Sequence, residues 1–148
     1  MTDAAANSVA TRGLDPRAIA LGAAAILAIG LSSSYVMQQL FLGSPDTANV
    51  RLFQLLSTAI GLVSHAIGGA TAGLVARRRG AVHGGIACLL ASLGGVVVTL
   101  VMVGRQGQLS AILNIAFVAQ WLIWVLLGMA IGVAAGAIAA RVAAAAKP

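Results

Sequence analysis

Apolar residues run along this chain in four long stretches that contain no charge, 18–42, 52–76, 80–104 and roughly 109–140. Each exceeds the roughly 20 residues that an α-helix needs to cross a hydrocarbon core of about 30 Å. Barrel strands would show alternating segments of about 10 residues, and none is present. The breaks between the stretches have turn chemistry. Gly43, Ser44, Pro45 and Asp46 end the first, Arg77, Arg78, Arg79 and Gly80 separate the second from the third, and Gly104, Arg105, Gln106, Gly107 and Gln108 separate the third from the fourth. Proline removes a backbone donor, and glycine, aspartate and serine favour turns. The pattern predicts an all-α polytopic membrane protein, a bundle of four transmembrane helices. A tail at 1–17 leads into the helical domain at 18–140, with spans near 18–42, 52–76, 80–104 and 112–140, and a tail at 141–148 follows.

Composition strengthens this reading. Residues of the AVILMFWYC set make up 60% of the 148 and charged residues 8%, against about 25% charged in soluble domains. Too few charges are present to coat a water-facing surface, whereas lipid accepts apolar side chains directly. The net charge is +6. The basic residues sit between apolar runs rather than on an aromatic-studded face, so they predict topology and no nucleic-acid partner. The lone Cys88 excludes an intramolecular disulfide or a Cys-x-x-Cys pair.

Charge also predicts orientation. If the N-terminus faces the cytoplasm, so do Arg12, Arg17, Arg77, Arg78, Arg79, Arg141 and Lys147, leaving only Arg51 and Arg105 outside. That bias places both termini in the cytoplasm. Tyr35, Phe41, Phe53, Phe117, Trp121 and Trp124 fall in the outer halves of their helices, where aromatic rings mark an interface. Arg12, Arg17 and the following apolar run up to Ser32, Ser33 and Ser34 resemble a signal peptide, but the run continues to Leu42, so an uncleaved anchor is expected.

Small residues recur at helical spacing. Gly128, Gly132, Gly136 and Ala140 form one stripe, Ser57, Gly61, His65, Gly69 and Gly73 a second, and Gly80, Gly84, Cys88 and Ser92 a third. Such stripes let helix backbones approach closely. Gly128, Gly132 and Gly136 are expected against Gly61, Gly69 and Gly73, within one chain or between copies. Gly69, Gly73 and Arg78 line up with Gly132, Gly136 and Arg141 at an offset of 63, and Gly22 with Gly85. The offset reads either as a duplicated hairpin or as coincidence in an Ala- and Gly-rich chain.

His65 carries the most suggestive chemistry. It lies about eleven residues from the inner end of its helix, roughly 16 Å deep at 1.5 Å per residue, and Ser92 reaches a similar depth. An intramembrane ionisable group is a functional candidate by default. The alternative is a neutral packing histidine bonded to Ser92 or to a carbonyl bared by glycine. No acidic partner lies within the spans, since Asp3, Asp15 and Asp46 all fall outside. His83 is expected near the cytoplasmic interface. Two histidines without a cysteine or carboxylate neighbour predict no metal site, and no catalytic group or cofactor is expected. Ser32, Ser33, Ser34, Gln38, Gln39, Asn114 and Gln120 make the outer helix ends polar, as vestibule lining or as interhelical bonds. Arg77, Arg78 and Arg79 are topology determinants that can also attract lipid headgroups.

The segment 67–85, with Gly68, Gly69 and Gly73, the Arg77–Arg79 turn and then His83 and Gly84, resembles the hairpin of the small four-helix bacterial membrane proteins related to YrzE, a family of unknown function. The resemblance implies a bacterial plasma membrane location and supplies no activity or site residue. Two functions follow from the residues. One is a non-enzymatic accessory protein that associates, as a homo-oligomer or with a larger membrane protein, through glycine-rich faces. The other is a channel or carrier subunit for a small solute around His65.

Overall fold

A computed structural model describes residues 13–41, 47–107, 109 and 114–146. Among these, four long helices form the whole architecture: α1 (Pro16–Phe41), α2 (Thr47–Ala76), α3 (Gly80–Arg105) and α4 (Ile115–Ala145). All four are long and apolar enough to cross a membrane, with mean hydropathies of 1.9, 1.5, 2.6 and 2.3 over their most apolar windows. The turn at 43–46, Arg12 and Lys147 lie outside the described residues.

The helix ends differ from the apolar runs for local reasons. α1 starts two residues early because Asp15 caps it, its carboxylate accepting from the amides of Arg17 at 2.9 Å and Ala18 at 3.4 Å. Pro16 follows at the first helical position, where its missing N–H is no loss. α2 starts at Thr47 and so includes Arg51, whose long stem can carry its charge outward. α4 begins at Ile115, capped by the Asn114 side chain, which accepts from the Phe117 amide at 2.9 Å. It continues through Arg141 to Ala145 because alanine is the best helix former.

The packing inverts that of a soluble bundle. Buried positions hold small residues, among them Ala72, Ala87, Cys88 and Ala91, while Leu55, Ile123, Leu126 and Ile138 are more than 60% exposed. Lipid on the outside removes the drive to bury large apolar groups, and small residues inside let the backbones touch. α2 and α4 run parallel and in register. A Cβ on Gly69 would lie 2.6 Å from the Gly132 Cα, and one on Gly73 2.7 Å from the Gly136 Cα. These partners are the residues related by the offset of 63, and so are His65 and Gly128, which also touch. α3 joins them through Gly80 and Gly84, which meet the Gly136 and Gly132 backbones. α1 crosses at Gly22, where a Cβ would lie 2.6 Å from the Gly68 carbonyl oxygen.

The Arg77–Arg79 turn is tight and strained. Arg77 and Arg79 hold left-handed φ angles of 54° and 53°, a conformation that costs about 1–2 kcal/mol for an L-residue with a side chain. The nearby Gly80 does not relieve the turn, because its lack of Cβ serves the contact with Gly136 and Ala140. Arg17, Arg77, Arg78, Arg79 and Arg141 thus gather at what we call the basic end. At the opposite, open end, Phe41 and Phe53 stack edge to face at 5.6 Å across the α1–α2 hairpin.

The two halves of the bundle are packed differently. Gly22, Gly68, Gly69, Gly73, Gly80, Gly84, Gly128, Gly132 and Gly136 all sit against neighbouring helices. Gly30, Gly61 and Gly95, toward the open end, have nothing within 4 Å of where a Cβ would be. Gly61 therefore does not share in the α2–α4 contact expected of its stripe, because the helices have already diverged at its level. Gly30→Ala should raise stability by about 0.5–1 kcal/mol through helix propensity alone. Gly22→Ala, eight residues away on the same helix, should lower it. Thermal unfolding of the two variants in detergent checks this, and an equal effect at both sites would contradict the asymmetry.

Candidate functional site

His65 lies where the tightly packed half gives way to the open half. Gly128 makes room for it, since a Cβ there would be 2.5 Å from the imidazole Cδ2 and 2.7 Å from Nε2. The ring is bonded on both sides. Nδ1 lies 2.7 Å from the Gly61 carbonyl oxygen. A carbonyl can only accept, so Nδ1 carries the proton and the neutral ring presents a bare Nε2. The Ser92 hydroxyl, 3.4 Å away on α3, donates to that nitrogen over a long bond. The Gly61 carbonyl also accepts from the Ser64 hydroxyl at 2.8 Å. The Cys88 thiol donates to the His65 carbonyl at 3.6 Å, which satisfies a weak donor in the core.

Above this group the helices part. A cleft of about 690 Å³ opens between α1 and α3, from Gln38 and Gln106 at its mouth to His65, Ser64 and Ser92 at its floor, with Ser34 and Thr99 along its walls. A second recess of about 580 Å³ lies between α2 and α4, bordered by Gln54, Ser57, Thr58 and Gln120. His65, Gly61 and Trp124 border both spaces. Ser33, Ser34 and Ser57 line a small pocket of about 100 Å³ between α1 and α2. Among the described residues no charged side chain lines any of the three.

The structure thus brings His65 and Ser92 together at one floor and adds Ser34, Gln38 and Gln120 to the walls. It does not add Ser32, Gln39 or Asn114. Ser32 and Gln39 are exposed and border none of these spaces, and Asn114 is the α4 cap. Gly61 belongs to the site as a carbonyl acceptor and as open wall. Gly69, Gly73, Gly132 and Gly136 lie below it as backbone contacts, with Gly128 seating the imidazole. Arg77, Arg78 and Arg79 stand at the far end of the bundle, fully outside the cleft.

Sequence patterning missed two features. Trp124 was legible only as an interface aromatic, yet it borders both spaces. His83, expected at the interface, is 2% exposed. Its Nε2 accepts from the Asp15 amide of α1 at 2.8 Å and its Nδ1 donates to the Arg79 carbonyl at 3.0 Å. Only the fold brings residues 68 positions apart into that bond. Among the described residues no group of three or more His, Cys, Asp or Glu could hold a metal ion. No family model, curated protein or solved structure matches the chain.

Proposed function

We propose that this small multi-pass membrane protein is a binding or carrier subunit for a small, uncharged, hydrogen-bonding solute. The observation that carries this reading is the cleft of about 690 Å³ that ends on His65 and Ser92. A cleft with a few convergent polar groups in an otherwise apolar wall is the usual form of a small-molecule site. The absence of charge from its lining among the described residues favours a neutral occupant, since a buried ion without a partner is costly. Glycine contacts seal the basic half, which supports a carrier that changes shape rather than an open pore. An accessory role through glycine-rich faces has less support, because Gly69, Gly73, Gly128, Gly132 and Gly136 already face neighbouring helices within the chain. A second copy or a larger partner would have to use other surface. The basic end faces the cytoplasm of a bacterial plasma membrane in this proposal, by the positive-inside rule.

Cysteine accessibility tests the cleft and its orientation together. In a Cys88→Ala background, Thr99→Cys should react with a membrane-impermeant thiol reagent added outside intact cells. Arg78→Cys should react only after the cells are opened. Uptake of labelled urea and glycerol into proteoliposomes should exceed that of protein-free vesicles. A silent Thr99→Cys, with no uptake of either probe, would remove the solute reading.

A further inference from the structure

The chain holds two bonded histidines in the same tautomer, and their partners differ in one respect that decides how each responds to a proton. At His65 the bare Nε2 faces a hydroxyl. A hydroxyl can rotate from donor to acceptor, so His65 can take up a proton and keep both bonds. At His83 the bare Nε2 faces the backbone N–H of Asp15. A backbone N–H can only donate. A proton on that nitrogen would set two donors against each other at 2.8 Å, while the Nδ1 bond to the Arg79 carbonyl would be kept. Protonation therefore breaks one link only, the link to α1.

That link holds one end of a lever. Asp15 caps α1 and its amide is the latched atom. Seven residues on, Gly22 rests against the Gly68 backbone in a close crossing of α1 over α2. Sixteen residues beyond that, Gln38 stands at the mouth of the cleft. At 1.5 Å per residue the arms are about 10 Å and 24 Å. A rigid α1 that pivots at Gly22 moves its cleft end the opposite way and about twice as far as its latched end. The short arm is otherwise held by apolar packing, with Ala18 fully buried and Ile19 set against Ala72 and Ala87.

We propose that His83 is a proton-operated latch on α1, closed when the imidazole is neutral and released when it is charged, and that it regulates access to the cleft. The regulatory half rests on the reading of that cleft as a solute site. Among the described residues, the ionisable and charged groups around the latch are Asp15 and Arg17 on α1, Arg77 and Arg78 in the turn, Arg79 before α3, and Arg141 on α4. Asp15 and Arg79 meet the ring through backbone atoms, and the Asp15 carboxylate is engaged by the amides of Arg17 and Ala18. The proton that opens the latch is therefore the one on His83.

Spin labels beside the latch test this in the full chain, reconstituted in lipid with Cys88→Ala. Leu14→Cys and Val82→Cys adjoin Asp15 and His83 and are about half exposed, so labels there leave the contact intact. The pair should show dipolar broadening at pH 8 and lose it at pH 5, values that bracket the ordinary imidazole range near about 6.5. His83→Gln, whose amide oxygen accepts from the Asp15 N–H without titrating, should stay broadened at both. His83→Phe should be narrow at both. Asp15→Asn should keep the transition, since it retains the cap and removes the Asp15 carboxylate, the only one near the latch among the described residues. Broadening unchanged with pH in the wild type, or a transition retained in His83→Gln, overturns the latch, and those two chains decide it even if His83→Phe does not fold. The spectra need no solute, so the two readings fail separately. Urea uptake equal at pH 8 and pH 5 while the latch opens overturns the regulatory role. No uptake at either pH overturns the solute reading of the cleft and leaves the latch standing.

Discussion

Gly132→Leu should remove most of the folded protein. Three helices converge on this residue. A Cβ here would meet the Cys88 Sγ, lie 2.7 Å from the Gly84 carbonyl oxygen of α3 and 3.2 Å from the Cys88 Cβ, while Gly69 of α2 presses on the Gly132 Cα from another side. Leucine would add three more heavy atoms beyond that Cβ. Long flexible side chains can turn away from an intruder, but the atoms met here are a backbone oxygen and the short, fully buried Cys88 side chain, so relief requires a helix to move. Overpacking typically costs about 1–3 kcal/mol, and a site closed by three helices belongs at the upper limit or above it. Size-exclusion profile and thermal stability after mild detergent extraction measure the effect. Gly61→Leu is the matched control, on α2 where nothing lies within 4 Å. It should leave folded protein and instead narrow the cleft. A Gly132→Leu protein as stable as wild type would mean that α2, α3 and α4 do not meet as described.

His65→Leu should lower the affinity for solute about tenfold while costing little stability. The stability argument follows from the bonds. The Gly61 carbonyl keeps the Ser64 hydroxyl as donor, and Ser92 faces a cleft that solvent or solute can enter. Neither group is left buried and bare, so the loss belongs near the low end of the roughly 1–3 kcal/mol for a stranded polar partner. Uptake is more sensitive, because the imidazole and Ser92 form the polar floor. Losing one hydrogen bond to a bound solute, about 1.4 kcal/mol, lowers affinity on the order of tenfold. His65→Gln keeps a donor and an acceptor and should retain most uptake. Wild type, His65→Gln and His65→Leu are compared in proteoliposomes for urea uptake and thermal stability. Equal uptake in all three would return His65 to a packing role.

Both results turn on glycine, and glycine shows where sequence reasoning stops. Spacing alone marked Gly61, Gly69 and Gly73 as one stripe. The fold divides that stripe, because α2 lies against α4 at Gly69 and Gly73 but has parted from it at Gly61. A residue with no side chain carries no sign of which neighbour, if any, approaches it. His83 shows the same limit from the other side. Its chemistry was plain in the sequence, but its partner is a backbone amide of a distant segment, and every residue type except proline offers one.

Four apolar runs, their polar breaks and the arginines between them were enough to predict four helices long and apolar enough to cross a membrane, and to put His65 and Ser92 at one level, because hydrophobic length and helical rise act along one chain segment at a time. The in-register pairing of Gly69 with Gly132 and Gly73 with Gly136, the cleft above His65 and the His83 tie to Asp15 were decided only in the tertiary structure. Each depends on how far apart two helices stand at a given level, and that separation is set by all the contacts along both helices together.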